Sequence, residues 1–230
     1  MQPSAPCGNS ADAARMAASP TPDPLAALPE SLRALALRGA PRRYRSGTLV
    51  IGEGERDDTI YIVLRGRLRV FSCNERDREI EYGTYGPGEY VGEMSLDGGP
   101  RSANVEAVGP TDCVMVTRQT LLAHIAANPE FALELLTKVI RRARAATLSA
   151  RQMALNDVYG RLALVLDSRA ERRPDGCRWI AERLTHHKLA GLVGCSREMV
   201  SRVMKDLERG GYVRAENGGI WLAPTLPSRW

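Results

Sequence analysis

The sequence has few of the residues that build metal centres. Its 230 residues include three histidines and five widely separated cysteines, and no two cysteines form a C-x-x-C pair. Zinc ribbons and iron–sulfur clusters need closely spaced thiolate ligands, so this scatter argues against both. Two of the histidines, His186 and His187, are adjacent, which suits a shared metal ion poorly. The sequence therefore predicts a protein without a metal site.

Long apolar runs and export signals are also lacking. No stretch is long enough to cross a membrane, and no basic segment followed by an apolar one opens the chain. We therefore expect a cytoplasmic protein in a reducing setting. Apolar residues still make up 43% of the chain, and the net charge of +5 is compatible with a polyanionic partner without requiring one. Since no nucleophile–base pair or Walker loop is recognisable, no catalytic residue and no enzyme activity are expected.

The amino-acid composition of the N-terminal half changes twice along the chain. Residues 1–24 are rich in alanine, proline and serine, which is typical of a disordered tail. Residues 25–128 begin with a predicted helix at 25–38 and continue as short β-branched runs cut by glycine. Many short strands between turns indicate a double-sheet β-roll or jelly roll. The predicted strands cover residues 48–51, 60–64, 68–71, 80–82, 105–108 and 113–116.

Residues 129–155 predict one long helix that starts after a break at Asn128-Pro129. Its apolar and small residues alternate four and three positions apart, which is the spacing of a coiled-coil seam. These seam residues are Leu136, Ile140, Ala143, Thr147, Ala150 and Ala154. We expect two copies of the chain to pair through this helix. A helix packed on its own domain is the alternative.

Residues 156–230 carry the most specific pattern. A hinge is predicted at residues 156–157, followed by an amphipathic helix at 158–170. The segment 185–208 predicts two short helices joined by a tight glycine turn, and a hairpin with its tip at 216–219 follows. Together these elements predict a winged helix-turn-helix.

The second of these two short helices has an outward face suited to DNA. Its apolar residues recur at helical spacing and should be buried, while a serine at its start can cap the free amides. Arginine suits guanine in the major groove, and glutamate accepts a hydrogen bond from cytosine. The candidate DNA-binding residues are Ser196, Arg197, Glu198, Ser201, Arg202 and Lys205. An amphipathic surface helix with ordinary salt bridges is the alternative.

Two motifs, taken with this layout, resemble the cyclic-AMP receptor protein/fumarate-nitrate regulator (CRP/FNR) family of bacterial transcription factors. One is VGCSREMVSR at residues 193–202, and the other combines GEMSL at 92–96 with PRSA at 100–103. The resemblance covers about residues 25–223. It implies an α+β fold: an N-terminal cyclic-nucleotide-binding jelly roll (a double-stranded β-helix), a long dimerisation helix and a C-terminal winged helix-turn-helix.

The GEMSL and PRSA motifs look like the phosphate-binding cassette of cyclic-nucleotide-binding domains. Glycine lets backbone approach a ligand closely, Glu93 can accept from a ribose hydroxyl, and Arg101 offers a planar fork of donors to a cyclic phosphate. The candidate ligand-binding residues are Gly92, Glu93, Met94, Ser95, Arg101, Ser102 and Thr147. A structural ion pair between Glu93 and Arg101, in a roll without ligand, is the alternative.

The resemblance leaves the nucleobase of the effector open. In the cyclic-AMP receptor protein, a Thr-Ser pair on the long helix selects adenine. The matching positions here are Ala146 and Thr147, so one hydroxyl is missing and only Thr147 could reach the base of the partner's ligand. Cyclic AMP is the first choice. Cyclic GMP, cyclic di-GMP and a form that acts without effector are the alternatives.

The recognition helix combines features of two operator classes. In the family, Glu198 and Arg202 resemble a pair that contacts a G-A step common to both. Arg197 favours TGTGA-like half-sites, which we expect, whereas Ser201 matches the TTGAT type. A homodimer requires a near-palindrome. The resemblance also implies RNA polymerase as a partner, through a loop near residues 172–178. A nucleotide-sensing regulatory subunit that controls a partner protein is the alternative of another class.

Overall fold

The computed structural model describes residues 23–75, 78–174, 176–216 and 218–227. Most of the predicted tail, and single residues of the predicted turn near 175 and of the hairpin tip at 217, lie outside the described residues. The helices are α1 Glu30–Ala36, α2 Arg118–Ala127, α3 Glu130–Leu155, α4 Val158–Arg169, α5 His186–Val193 and α6 Arg197–Arg209. The strands are β1 Ala40–Tyr44, β2 Leu49–Ile51, β3 Ile60–Arg65, β4 Leu68–Cys73, β5 Glu79–Tyr85, β6 Tyr90–Val91, β7 Asn104–Ala107, β8 Thr111–Val116, β9 Glu171–Arg172, β10 Arg178–Ile180, β11 Val213–Glu216 and β12 Gly219–Leu222.

Strands β1 to β8 form the predicted jelly roll. They pair antiparallel in two four-stranded sheets, with the orders β1-β8-β3-β6 and β2-β7-β4-β5. Every strand that the sequence predicts here is present. Two more were missed: β6 has only two residues, and β1 contains Pro41. Proline is tolerated in β1 because this strand lies at the edge of its sheet.

Helix α1 is shorter than the sequence predicts. The predicted helix covered residues 25–38, but α1 begins only at Glu30. Pro29 precedes it, and a proline disfavours helical backbone in the residue before it, so the segment ahead of Pro29 forms a turn instead. The apolar face is nonetheless the predicted one, because Leu28, Leu32 and Leu35 are buried against the roll.

Helix α3 follows Pro129 as predicted and is 26 residues long. Within the described chain, Phe131 near its start is the one residue of α3 that is buried. The predicted seam is exposed in this single chain, where Leu136 is 53% and Ile140 is 41% accessible. The sequence of α3 thus leaves an apolar stripe uncovered by the protein's own roll. Among the described helices, none is long and apolar enough to cross a membrane.

The C-terminal domain is a winged helix-turn-helix, as predicted. Helices α4, α5 and α6 pack on a sheet with the order β11-β12-β10-β9, around a core that includes Leu162, Leu189 and Leu207. The hairpin of β9 and β10 was predicted only as a turn, because two-residue and three-residue strands leave little sequence pattern. Gly211 ends α6 with a φ of 72°, the left-handed cap that the sequence predicts.

Strand β5 of the roll contacts helix α5 of the C-terminal domain. The small residue Gly191 on α5 faces Glu81, since a Cβ built at Gly191 would lie 3.9 Å from that of Glu81. Beside it, His187 Nε2 lies 3.6 Å from a carboxylate oxygen of Glu79. The roll therefore contacts the helix-turn-helix directly, in addition to the covalent link through α3 and α4.

Candidate ligand site and nucleic-acid interface

Gly92 follows strand β6 and is the N-cap of a 3₁₀ turn, Glu93–Ser95, in the candidate ligand site. Its φ of 94° lies in the left-handed region, which L-residues with side chains rarely adopt. A Cβ at this position would also lie 2.7 Å from the carbonyl oxygen of Thr59 and 2.8 Å from Nη1 of Arg101. Glycine is therefore required here for two independent reasons, strain and space.

The variant Gly92→Ala tests this requirement. We expect it to lower the free energy of unfolding by about 1–3 kcal/mol, because backbone strain adds to the collision with Thr59 and Arg101. Thermal unfolding monitored by circular dichroism measures the change. Gly88→Ala is the matched control, since Gly88 also has a positive φ (82°) but a Cβ there meets nothing within 4 Å. Equal losses in both variants would show that crowding at Gly92 contributes nothing.

Arg101 is a buried cation whose guanidinium is held by four neighbours. Only 3% of its side chain is accessible. Nη1 donates to the carbonyl of Gly92 at 2.9 Å and to Ser95 Oγ at 2.8 Å. Nη2 donates to Asp57 Oδ2 and to Thr59 Oγ1, both at 3.0 Å. The PRSA arginine thus lies against the GEMSL turn as the cassette resemblance implies, with Asp57 as its anionic partner.

Glu93 is buried as well, and its carboxylate pairs with a side chain of helix α3. Its side chain is 1% accessible and forms an ion pair with Arg142. Arg142 also donates from Nη2 to the carbonyl of Tyr90 at 2.6 Å, and its guanidinium lies over the ring of Tyr85 at 4.4 Å. The alternative of a Glu93–Arg101 ion pair is therefore not what the structure has. Each residue pairs with a different partner.

Each of the two ion pairs shifts the pKa of one member, Asp57 or Arg142, in the direction that favours its charged form. Burial opposes ionisation of Asp57, but hydrogen bonds from Thr59 and Arg101 outweigh it and lower the pKa of the carboxyl group. Burial likewise opposes the charge of Arg142, and the hydrogen bond and negative charge of Glu93 raise its pKa in return. The site therefore contains two cations and two anions and is close to neutral.

Some hydrogen-bonding capacity in this site is unmet. Among the described residues, Glu93 Oε2 and Arg101 Nε are buried and have no hydrogen-bond partner. Buried polar atoms without a partner are costly, so they mark places where a ligand can bind. A free carboxylate oxygen suits a ribose hydroxyl, and a free guanidinium N–H suits a phosphate oxygen. These residues fit a nucleotide that carries a phosphodiester.

The remaining candidate ligand-binding residues lie apart from this buried set. Met94 is 55% accessible and Ser102 is exposed next to Arg101. Thr147 is exposed on α3, where its hydroxyl donates to the carbonyl of Ala143 in its own helix at 3.0 Å. The structure thus brings together Gly92, Glu93, Ser95 and Arg101. The roles of Met94, Ser102 and Thr147 stay predictions.

The recognition helix α6 begins as the sequence predicts. Ser196 caps it, with its hydroxyl oxygen accepting from the amide of Met199 at 3.3 Å. The predicted inner face is buried and consists of Val200, Val203, Met204 and Leu207. The predicted outer face is exposed at four positions, Arg197, Glu198, Arg202 and Lys205. A hydrogen bond from its own backbone amide, and a second from the Ser196 hydroxyl, lower the pKa of the Glu198 carboxyl group, which favours its role as an acceptor.

Ser201 differs from the other outer-face residues. It is half-buried, and its hydroxyl lies 2.8 Å from Nδ1 of His186 at the start of α5. This hydrogen bond links the two helices of the helix-turn-helix. Ser201 therefore has a structural partner, whereas Arg197 and Arg202 project into solvent.

Comparison with known proteins assigns these two sites to one family. Residues 41–128 match the model of a cyclic nucleotide-binding domain, and residues 160–223 match that of a Crp-like helix-turn-helix domain. The CRP-like cAMP-activated global transcriptional regulator of Mycobacterium tuberculosis is 30% identical over 199 residues, which cover 85% of this chain and 89% of that protein. The chain belongs to the CRP/FNR family.

Further CRP/FNR relatives are similar to this chain over most of its length. The cyclic AMP receptor protein of Thermus thermophilus is 35% identical over 180 residues, covering 78% of this chain and 82% of that protein. The solved structure of the c-di-GMP-responsive global regulator CLP of Xanthomonas campestris superposes with a TM-score of 0.74 at 25% identity, covering 85% of this chain and 99% of that one. The chain is thus a CRP-like, cyclic nucleotide-responsive transcription regulator, in a family of regulators and not of enzymes.

Sequence reasoning missed three members of this CRP/FNR site. Asp57 and Thr59 precede strand β3 in a loop without periodicity, so no sequence signal marks them. Arg142 lies in α3 but outside the predicted seam, so no role in the site was predicted for it. No sequence signal marks it, because cations one turn apart on a helix, such as Lys138 and Arg142, are also typical of a solvent-exposed face. In the structure these two cations contact the roll instead: the Lys138 ammonium lies over the Tyr90 ring at 4.1 Å and the Arg142 guanidinium over the Tyr85 ring at 4.4 Å.

Proposed function

We propose that this chain is a homodimeric, ligand-gated and sequence-specific DNA-binding regulator, with a cyclic nucleotide as effector. One observation carries the proposal of gating. Helix α3 contacts the ligand site through Arg142, exposes the seam at Ile140, and ends at the hinge, where Asn156 has extended backbone. A ligand that changes the position of Arg142 would therefore act on the same helix that positions the two DNA-binding domains.

Cyclic AMP is the first choice of effector. The names of the relatives in Mycobacterium tuberculosis and Thermus thermophilus mention cyclic AMP. The name of the Xanthomonas campestris regulator mentions cyclic di-GMP, which makes the dinucleotide the second choice. Ala146 removes one of the two hydroxyls of the adenine-selective pair, which weakens the case for adenine without supplying a guanine contact. A form that acts without effector is the third choice, because both cassette charges already have protein partners.

The dimer would form through α3. Its exposed stripe, from Leu136 to Ala154, has the alternating spacing of a two-stranded seam, and small residues at Ala143 and Ala150 would let two helices approach closely. Large apolar residues exposed along one line on a helix are costly in water and mark a surface that another molecule covers. Thr147 lies on this stripe, so the proposed contact with the partner's ligand depends on the dimer.

The operator would be a near-palindrome with TGTGA-like half-sites about one helical turn apart. Arg197 is exposed and free to contact guanine, which supports this type. Ser201, the residue that favoured TTGAT, is engaged by His186, which weakens that alternative. RNA polymerase is proposed as a partner through the β9–β10 hairpin by resemblance alone. We place the protein in the cytoplasm because bacterial transcription takes place there.

Fluorescence anisotropy of an operator fragment tests gating. We expect one of cyclic AMP, cyclic GMP and cyclic di-GMP to change the DNA affinity about 5-fold to 150-fold, the usual range of coupling between two sites. The coupling must be reciprocal, so the same operator should change the affinity for that nucleotide by the same factor. Equal DNA affinity with every nucleotide and without any would reject gating by these effectors.

A regulatory subunit that controls a partner protein is the candidate from another class. The exposed cations of α6, Arg197, Arg202 and Lys205, favour DNA, because DNA presents a dense row of phosphate charges to a basic helix face. A titration with salt separates the two. Binding through phosphate contacts weakens steeply as salt rises, while base contacts produce preference for one sequence. DNA binding without sequence preference would favour the regulatory subunit.

A further inference from the structure

Arg101 has little capacity left for a phosphate in this structure. A guanidinium has five N–H donors. Four of them are directed at Gly92, Ser95, Asp57 and Thr59, at 2.8 to 3.0 Å, which leaves Nε. Bidentate binding of a phosphate uses two adjacent N–H groups of the fork. A phosphate can therefore bind Arg101 bidentately only after at least one of the four contacts breaks.

Asp57 is the contact whose loss matters most, because it is the one anion of the four. Its carboxylate accepts from Arg101 Nη2 at 3.0 Å and from the hydroxyl and amide of Thr59 at 2.7 and 3.1 Å. The carboxylate thus occupies the place of an anion on the guanidinium. It differs from Arg101 in exposure, since 43% of its side chain is accessible. Asp57 can therefore turn into solvent without unfolding the cassette.

We infer that Asp57 is an internal competitor for the anion subsite on Arg101, so that nucleotide binding requires the carboxylate to leave. The inference rests on the proposed function of the roll as a nucleotide site. Two negative groups cannot share one guanidinium without repulsion, and the bond that breaks is charge-assisted. The competition lowers the affinity for every ligand with a phosphodiester, whatever its base, and keeps the buried cation neutralised when no ligand is bound.

Isothermal titration calorimetry of the full chain with cyclic AMP, cyclic GMP and cyclic di-GMP tests the inference. Asp57→Asn keeps the size of the side chain and removes its charge. We expect this variant to bind about 10-fold to 100-fold more tightly than the natural chain, which corresponds to the loss of one hydrogen bond between charged groups. Asp57→Ser, which keeps an acceptor for the amide of Thr59, should show the same direction if Asp57→Asn folds poorly.

Asp58→Asn is the matched control, because Asp58 is the exposed neighbour and its loss changes the net charge equally. It should bind nucleotides with the affinity of the natural chain. If its affinity rises as much as that of Asp57→Asn, the increase comes from net charge alone and the inference is overturned. Unchanged binding by both Asp57 variants would overturn it too. Weaker binding would show that Asp57 orients Arg101 for the ligand. No binding of any nucleotide by any of the proteins would overturn the proposed function itself.

Discussion

Replacing Arg202 with alanine will weaken binding to a near-palindromic operator about 30-fold to 10⁴-fold. Arg202 projects from the exposed face of α6, where its planar fork can pair with the edge of one guanine. The loss of one bidentate contact costs about 1–3 kcal/mol, and a dimer loses two of them, one in each half-site. Fluorescence anisotropy with the operator, and with fragments changed at single base pairs, measures both affinity and preference.

Arg209→Ala is the control for this substitution. Arg209 lies at the other end of the same helix, is exposed and has the same charge, and its contact with Asp206 Oδ1 is long at 3.5 Å. Arg209→Ala should weaken operator binding only slightly, because it removes one positive charge and no contact with a base. The base preference should relax in Arg202→Ala alone. If Arg202→Ala instead weakens binding uniformly on every sequence, the side chain contacts phosphate and the proposed contact with a base is wrong.

Replacing Ile140 with glutamate will convert the protein to a monomer and weaken operator binding about 10²-fold to 10⁴-fold. Ile140 is 41% accessible at the centre of the exposed stripe of α3, so a charge there faces its own copy across the proposed two-fold axis. Without the dimer, each DNA-binding domain binds its half-site independently and the gain from linking two sites is lost. Sedimentation equilibrium reports the mass, and anisotropy reports the DNA affinity.

Ser149→Glu introduces the same charge on the same helix, also at an exposed position, but away from the seam and two turns beyond Arg142. It should remain dimeric and bind the operator normally. Since Ile140 is exposed in the single chain, Ile140→Glu should still fold, which a circular dichroism spectrum checks. An Ile140→Glu protein that stays dimeric would show that α3 is not the dimer interface and would remove the geometric basis of gating.

The local elements of this protein were largely predictable. Ser196 is an N-cap, Gly211 is the left-handed glycine that follows the end of α6, and Pro129 precedes the start of α3, because each depends on residues within a few positions along the chain. The strands with β-branched residues were predictable for the same reason. The errors came where tertiary contacts replace local pattern. The edge strand β1 tolerates Pro41, and two-residue β6 exists only because it pairs with β3.

The sequence predicted the motif of the candidate ligand site but not the ion-pair partners of its charged residues. The sequence placed Gly92, Glu93 and Arg101 in one cassette and suggested that the two charged residues could pair with each other. Both found partners elsewhere. Arg142 is 49 positions beyond Glu93 in the numbering, and Asp57 is separated from Arg101 by 44 positions. No periodicity or spacing relates residues at such distances.

The sequence by itself determined the family fold, the cassette turn, the apolar stripe of α3 and the outward face of α6, since periodicity, caps and glycine positions are encoded locally. Only the tertiary structure decided which buried charged side chains form ion pairs with each other. A buried ion takes the partner that folding brings within hydrogen-bond reach, because an unpaired charge in a core is costly. That choice put Asp57 on Arg101 and Arg142 on Glu93, and it connects the candidate ligand site to the long helix α3 that leads to the C-terminal domain.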